Sequence, residues 1–501
     1  MAQPARIERP MTFLGELMYE WTEIGPRLET VITTVLHFDK VVDRKLVEAI
    51  IAEKLLVFDR FRSIVKPNAG SHTHTWTRLK RIDMSYHLVE HRLPSPATRK
   101  ELEAFISSMY RKQLDTSHPL WRFYIVPLDG NKCAVVTRIH HSVGDGVTLI
   151  EVMLSLMGRE EAKKQPHVFK KRPPASWTKT MANPLQFSSR CLHFVLGAAK
   201  GSTYPLRRKD TPNVLKIPSI AQLTTEKKVA CGASIPLQLF KEAGRRMDGT
   251  VNDMIVATLT ATLRRYLLAH DTCLNDGNTP RISVLFPFNM RYGRINVSDP
   301  KQFGNQFTLL PLDLPIHEKD PISIMLASKK CCDEIKESPM AFIITGLNKL
   351  AMSILPAKWY HTLTFTCLEK STGMFTNVPG PKKPVLLAGQ VVSDLMFYVP
   401  ALASITFSVL SYNGSIRFGV MTNQGGGKIN PNELTNIFYE EFHCLYDASK
   451  GLHPDVQRSE TNPLTKWAIL CVFILLLSRW DYLLTVYIAA TFITWLMETC
   501  L

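Results

Sequence analysis

Residues 137–154 read TRIHHSVGDGVTLIEVML, and the fold turns on this stretch. Cys133 to Ile139 reads as a β-strand and Gly146 to Met157 as a helix, so His140-His141-Ser142-Val143-Gly144-Asp145-Gly146 occupies a strand-to-helix corner. An imidazole on such a corner can project into a cleft instead of a core. Its unperturbed pKa of about 6.5 suits a general base at neutral pH. Gly144 and Gly146 flank Asp145 and permit a tight turn with close backbone approach.

Working outward, Val31 to Asp39 alternates like a strand, and Asp43 to Val65 repeats apolar residues at helical spacing, with Asp43 as its cap. Thr98 to Leu114 is amphipathic, starting just beyond Pro94 and Pro96. Leu120 to Val126 and Lys132 to His140 read as strands joined at Asp129-Gly130-Asn131. Together these form an α/β lobe over residues 1–158. Residues 159–228 carry 15 basic and 4 acidic side chains with frequent prolines, which makes them a basic connector. It includes one amphipathic helix near Phe187 to Ala199. A second lobe spans 229–450. Helices are expected at Val251 to Leu268, Ser323 to Glu337, Phe342 to Leu355 and Pro431 to Asp447. Strands are expected near Ile282 to Phe288, Phe307 to Pro311, Thr362 to Cys367, Ile405 to Tyr412 and Ser415 to Met421. Asn413-Gly414 signals a hairpin between the last two.

The chain has 501 residues, 45% hydrophobic and 21% charged, enough for a sizeable core and incompatible with a disordered chain. Its 25 Gly and 31 Pro show no period, which excludes a collagen-like repeat. Sixty Lys and Arg against 44 Asp and Glu give a net charge of +16, pointing to an anionic partner. The ten cysteines show no CxxC pair, so the chain reads as reduced and cytosol-facing. Met1 to Glu23 carries mixed charges and no apolar core of the required length, so no signal peptide is expected there. Residues 464–497 are apolar apart from Lys466, Arg479 and Asp481, and are expected to anchor the protein in a membrane as two short legs turning at Arg479-Trp480-Asp481. The +16 charge clusters in the connector, which together with this tail favours a membrane over nucleic acid.

HHxxxDG is the signature of the CoA-dependent acyltransferase superfamily, and further motifs follow in order. Pro119-Leu120-Trp121 and the segment His87 to Pro96 precede it. Val251-Asn252-Asp253-Met254, Pro287-Phe288-Asn289-Met290-Arg291, Gly304-Asn305-Gln306, Asn377-Val378-Pro379-Gly380-Pro381 and Ser411-Tyr412-Asn413-Gly414 come after. In this combination the chain resembles the wax ester synthase/diacylglycerol acyltransferase family from about Glu29 to Lys450. Met11 to Gly25 does not clearly match the family's opening segment, and Gly425-Gly426-Gly427 replaces a more acidic region.

The resemblance implies an α/β, two-lobed, condensation-domain-like fold with an active-site tunnel between the lobes. It implies an O-acyltransferase that moves a fatty acyl group from acyl-CoA, a substrate rather than a cofactor, to diacylglycerol or a long-chain fatty alcohol. The catalytic motif is His140, His141 and Asp145. Within it His141 is the general base and His140 packs or orients the loop. Asp145 is structural, paired with Arg291 or, alternatively, capping the helix that begins at Gly146. Asn252 and Asn377 are candidates for oxyanion or substrate contacts. No cofactor, metal or nucleic acid is implied. The expected location is the endoplasmic reticulum membrane with the lobes facing the cytosol, or lipid droplets.

Rival readings are weaker. His87-Leu88-Val89-Glu90-His91 matches an inverted zinc-protease pattern, which needs a helix placing both histidines on one face and a third ligand downstream, but the segment follows Asp83-Met84 and runs into Pro94. Gly427-Lys428 lacks the rest of a phosphate loop, and no GxSxG elbow supplies a serine nucleophile. A catalytically inactive, lipid-anchored binding protein of the same fold is the remaining alternative, and the intact His141, Asp145 and Gly146 argue against it.

Overall fold

Asp129-Gly130-Asn131 forms the turn expected of it, with Gly130 and Asn131 both at positive φ (71° and 61°). That backbone twist matches two antiparallel strands, Trp121–Leu128 and Lys132–His140. The computed structural model describes residues 8–157 and 196–452, except 70–72, 275–279, 292, 295, 298, 300–301, 401 and 426–428, and also the short strand Val168–Phe169.

The hairpin lies inside a six-stranded sheet ordered Leu386–Leu387, Gln390–Tyr398, Val31–Phe38, Lys132–His140, Trp121–Leu128, Leu88–Glu90. Two of these strands come from the second half of the sequence, so the first lobe is not confined to residues 1–158. Leu395 pairs with Leu36 and Tyr398 with Thr33 across that junction. The packing centre is Trp121, which is fully buried. Its indole N–H donates to the Phe61 carbonyl at 2.9 Å, and its ring stacks on His87 at 3.9 Å.

Asp43 caps a helix as expected, accepting from the Lys45 N–H at 2.7 Å, but the α-helix covers only Arg44–Ile50. A π turn, Ile51–Leu55, follows, then a short 3-10 turn and the strand Ser63–Pro67. Burying Phe61 under Trp121 ends the helical repeat early. The strand pairs with His74–Arg78, which also takes Glu8–Pro10, making a three-stranded sheet.

The second large sheet is ordered Ile235–Pro236, Ser415–Asn423, Ile405–Tyr412, Gly373–Pro379, Ser283–Asn289, Phe307–Asp313, with Lys227–Cys231 also on Ser415–Asn423. Asn413 and Gly414 take positive φ (45° and 76°) at the hairpin their sequence signals. Helices Leu237–Arg246, Val251–His270, Pro321–Lys336 and Pro431–Ser449 bury their apolar faces against it. Thr250 and Asp253 form a reciprocal capping box that fixes the start of the second of these. The connector is partly built into this lobe. Asp210 is buried, and its carboxylate accepts from the backbone N–H groups of Ser283 (2.6 Å) and Thr372 (2.9 Å).

Thr362 to Cys367 is not a strand but part of the helix Ala357–Leu368. Its alternating threonines suggest a strand, yet Tyr360, Leu363, Thr364 and Cys367 meet a common cavity at helical spacing, and tertiary burial overrides propensity. The Thr362 and Thr366 hydroxyls bond back to the carbonyls of Lys358 and Thr362. The amphipathic helix expected near Phe187 to Ala199 falls mostly outside the described residues, which show helix over 196–202. The expected anchor at 464–497 lies wholly outside them. Among the described residues no helix is long and apolar enough to cross a membrane.

Replacing Trp121 by Ala removes a fully buried indole and orphans the Phe61 carbonyl. It should destabilise the fold by about 3–5 kcal/mol, read as a lowered urea midpoint. A shift below about 1 kcal/mol would show that this contact does not organise the first lobe.

Candidate active site between the lobes

Strand Lys132–His140 delivers the two histidines to its C-terminal end, where they face the second sheet. The His141 backbone N–H donates to the Thr30 carbonyl at 2.7 Å, holding the corner against the neighbouring strand. From the other lobe, the segment before Phe307–Asp313 brings Asn305 across. Asn305 Nδ2 donates to the His141 carbonyl at 2.8 Å, which turns its Oδ1 toward His141 Nδ1 at 3.1 Å. An amide oxygen can only accept, so Nδ1 carries the imidazole proton and Nε2 keeps its lone pair. Burial pushes the His141 pKa below its usual value, opposed by the Asp145 charge. At neutral pH the ring is a neutral base on a cavity wall.

His140 points elsewhere. The Ser142 backbone N–H donates to its Nδ1 at 3.2 Å, so Nε2 bears the proton and donates to Thr22 Oγ1 at 2.8 Å. Burial drives its pKa down to about 3. His140 therefore orients the loop and pins the helix Phe13–Ile24. That helix is a feature the sequence did not reveal, since Met11 to Gly25 matches no family pattern. Phe13, Leu17 and Trp21 on one of its faces line the cavity. A second tie is Glu16, buried against the His74 ring and backbone N–H.

Asp145 satisfies both readings made of it. Its Oδ1 accepts from the Thr148 N–H at 2.9 Å, capping the helix Gly146–Leu156. Its Oδ2 accepts from Arg291 Nη1 at 2.6 Å and from the Gln306 N–H at 2.9 Å. Arg291 is buried and also donates to Thr148 Oγ1 (2.9 Å) and the Gly304 carbonyl. A second arginine braces the loop from below. Arg60 donates to the carbonyls of Val143 (2.9 Å), Ser142 (3.3 Å) and Phe303 (3.3 Å), with its pKa lowered by burial to about 10. Gly304 has φ +121°, and a Cβ there would sit 2.7 Å from the Arg60 guanidinium, so glycine is needed for both reasons. Gly146 faces Val378 of the other lobe, and a Cβ there would make an ordinary contact at 3.4 Å.

The cavity has a volume of about 630 Å³ and is lined from both lobes, with His141, Asp145, Gly146, Arg291 and Asn305 on its wall. Its remaining lining is mostly apolar. Of the two asparagine candidates, Asn377 lines the cavity, while Asn252 stands behind it, accepting from Asn377 Nδ2 at 3.2 Å. Asn289, in the Pro287 to Arg291 motif, also lines the cavity. Its Oδ1 is held by the Arg291 N–H at 3.1 Å, and its buried Nδ2 has no partner among the described residues. His87 and His91 are committed to packing. His87 stacks on Trp121, and His91 on Phe105 at 3.8 Å.

Two facing α/β lobes with a neutral histidine on the cavity between them define the acyltransferase fold shared with condensation domains. The solved wax ester synthase/diacylglycerol acyltransferase from Marinobacter aquaeolei superposes with a TM-score of 0.60 at 16% identity, covering 88% of this chain and 100% of that one. The first condensation domain of the calcium-dependent antibiotic synthetase gives 0.58 at 12% identity, covering 90% and 98%. The chain belongs to the wax ester synthase/diacylglycerol acyltransferase family: its catalytic-domain model matches residues 34–255 and its C-terminal-domain model residues 303–445. A putative diacylglycerol O-acyltransferase of Mycobacterium tuberculosis is 25% identical over 395 residues, 74% of this chain and 81% of that protein.

The Asp145–Arg291 pair is buried and joins two lobes, so breaking it from either side leaves an uncompensated charge. Asp145→Asn and Arg291→Met should each lower the unfolding free energy by roughly 3–5 kcal/mol, and the double variant by far less than their sum. Additive losses in thermal or urea unfolding would show that the Thr148 cap alone accounts for Asp145.

Proposed function

We propose that the protein transfers a fatty acyl group from acyl-CoA to the hydroxyl of a lipid alcohol, diacylglycerol or a long-chain fatty alcohol. One observation carries the reading: the only proton that His141 holds is locked on Nδ1 by Asn305, leaving Nε2 as a buried, unprotonated base in a large apolar tunnel. The acceptor hydroxyl gives its proton to Nε2 as its oxygen attacks the thioester carbonyl. The tetrahedral intermediate then collapses, the C–S bond breaks, and the CoA thiolate takes the proton back from His141. No covalent enzyme intermediate is required. The cavity-wall amides of Asn289 and Asn377 are the donors available to the developing oxyanion. The relatives' names support diacylglycerol as one acceptor. We further propose that the protein works at the endoplasmic reticulum membrane or a lipid-droplet surface, which the apolar composition of residues 464–497 supports.

Product analysis with palmitoyl-CoA and diacylglycerol, hexadecanol or no acceptor tests the reaction. Triacylglycerol or wax ester should form, and His141→Ala should lower turnover about 10²–10⁴-fold with unchanged thermal unfolding. Because the active base is the neutral form and its pKa is depressed, kcat/KM should rise with pH through a midpoint below 6.5 and then level off. More than a tenth of the wild-type rate in His141→Ala would remove His141 from this role. Separately, a chain ending before Asn462 should become extractable from membranes by carbonate; retention in the pellet would exclude the tail as the anchor.

A further inference from the structure

Helix Met340–Ile354 carries apolar side chains over two adjoining faces. Ile344, Leu347 and Ala351 line the catalytic cavity. Beside them Phe342, Gly346, Leu350 and Ile354 recur at i, i+4 spacing and form an exposed ridge. Phe342 is 53% exposed, Leu350 55% and Ile354 68%, and Trp359 on the next helix is 48% exposed. Among the described residues nothing would come within 4 Å of a Cβ on Gly346, so the ridge is open at its middle. Isolated exposed apolar side chains are ordinary, but several on one helical hairpin at the rim of a cavity form a contiguous patch that marks an interaction surface.

Charge identifies the occupant. No Asp or Glu occurs between Glu337 and Glu369, while Lys349 and Lys358 are exposed beside the ridge. An apolar ridge rimmed by lysines, with an indole at its edge, matches the interface of a phospholipid bilayer: acyl chains below, anionic headgroups above. We infer that the hairpin 340–368 is a bilayer-docking surface, which sets the tunnel rim against the membrane so that a lipid acceptor passes into the cavity beneath Leu347 and Ala351 without crossing water. Entry of the acceptor by this route rests on the lipid-alcohol reading proposed above; contact of the ridge with lipid does not.

Two measurements on the full chain separate these. Trp359 fluorescence, taken as the difference between wild type and Trp359→Phe, should be quenched by vesicles of bromine-labelled phosphatidylcholine with phosphatidylserine. Leu350→Glu with Ile354→Glu should lower transfer to diacylglycerol embedded in such vesicles by about tenfold or more, because each removes a large side chain from lipid. Its rate with palmitoyl-CoA and a short, water-soluble alcohol should match wild type, since neither residue lines the cavity. A vesicle-bound protein with no quenching at Trp359 overturns the inference, and would point to the chain's own tail or a second copy on the ridge. Equal rates of wild type and the double variant on embedded diacylglycerol overturn it too. Failure of wild type to acylate any acceptor would instead sink the proposed reaction, and the quenching result alone would then decide whether the ridge meets lipid.

Discussion

A carboxylate from one lobe and a guanidinium from the other meet, both buried, at the cavity wall, and the geometry of the cavity follows from that contact. Asp145 sits at the entrance of the helix Gly146–Leu156, and Arg291 ends the Ser283–Asn289 region of the second sheet. Neither charge is tolerable there alone. Arg291 also gathers Thr148 and the Gly304 carbonyl, and the Gln306 N–H closes on Asp145. The segment 304–306 is thereby held at one height, and Asn305, in its middle, is brought to His141. The base depends on the ion pair through two peptide bonds, without any direct contact with it.

Asn305 does for His141 what a carboxylate does in many hydrolases, but with a neutral group. A carboxylate would stabilise the imidazolium and raise the pKa. An amide sets the tautomer and adds no charge, and burial outweighs the upward pull of the Asp145 charge and the Asn305 hydrogen bond to leave the pKa lowered. That suits a reaction in which the ring carries its extra proton only between attack and collapse.

The motif from His140 to Gly146, the Asp145–Arg291 partnership and the Asn413-Gly414 hairpin were legible in the sequence because each is written in a few adjacent residues or in a spaced motif. What was hidden depends on distance or on tertiary burial. The role of Asn305 was not visible, although Gly304-Asn305-Gln306 was, because its partner lies 164 residues away. The same applies to Asn289, whose unpaired amide becomes meaningful only on a cavity wall. Thr362 to Cys367 misled because threonine alternation mimics a strand, while the cavity it faces is sensed only in three dimensions. Helix Phe13–Ile24 was missed because its ties, Thr22 to His140 and Glu16 to His74, look like ordinary surface polarity in one dimension.

The strand Gln390–Tyr398 beside Val31–Phe38 has a consequence for the growing chain. Val31–Phe38 can pair with Lys132–His140 soon after both leave the ribosome, but its other edge stays open until residue 398 is made. Translation of the roughly 260 intervening residues takes on the order of 13–50 s. Throughout that interval a nearly all-buried strand offers unpaired backbone groups to any other chain. The protein is thus a late-closing fold of high contact order, exposed during synthesis to edge-to-edge association and dependent on being shielded until its last third arrives.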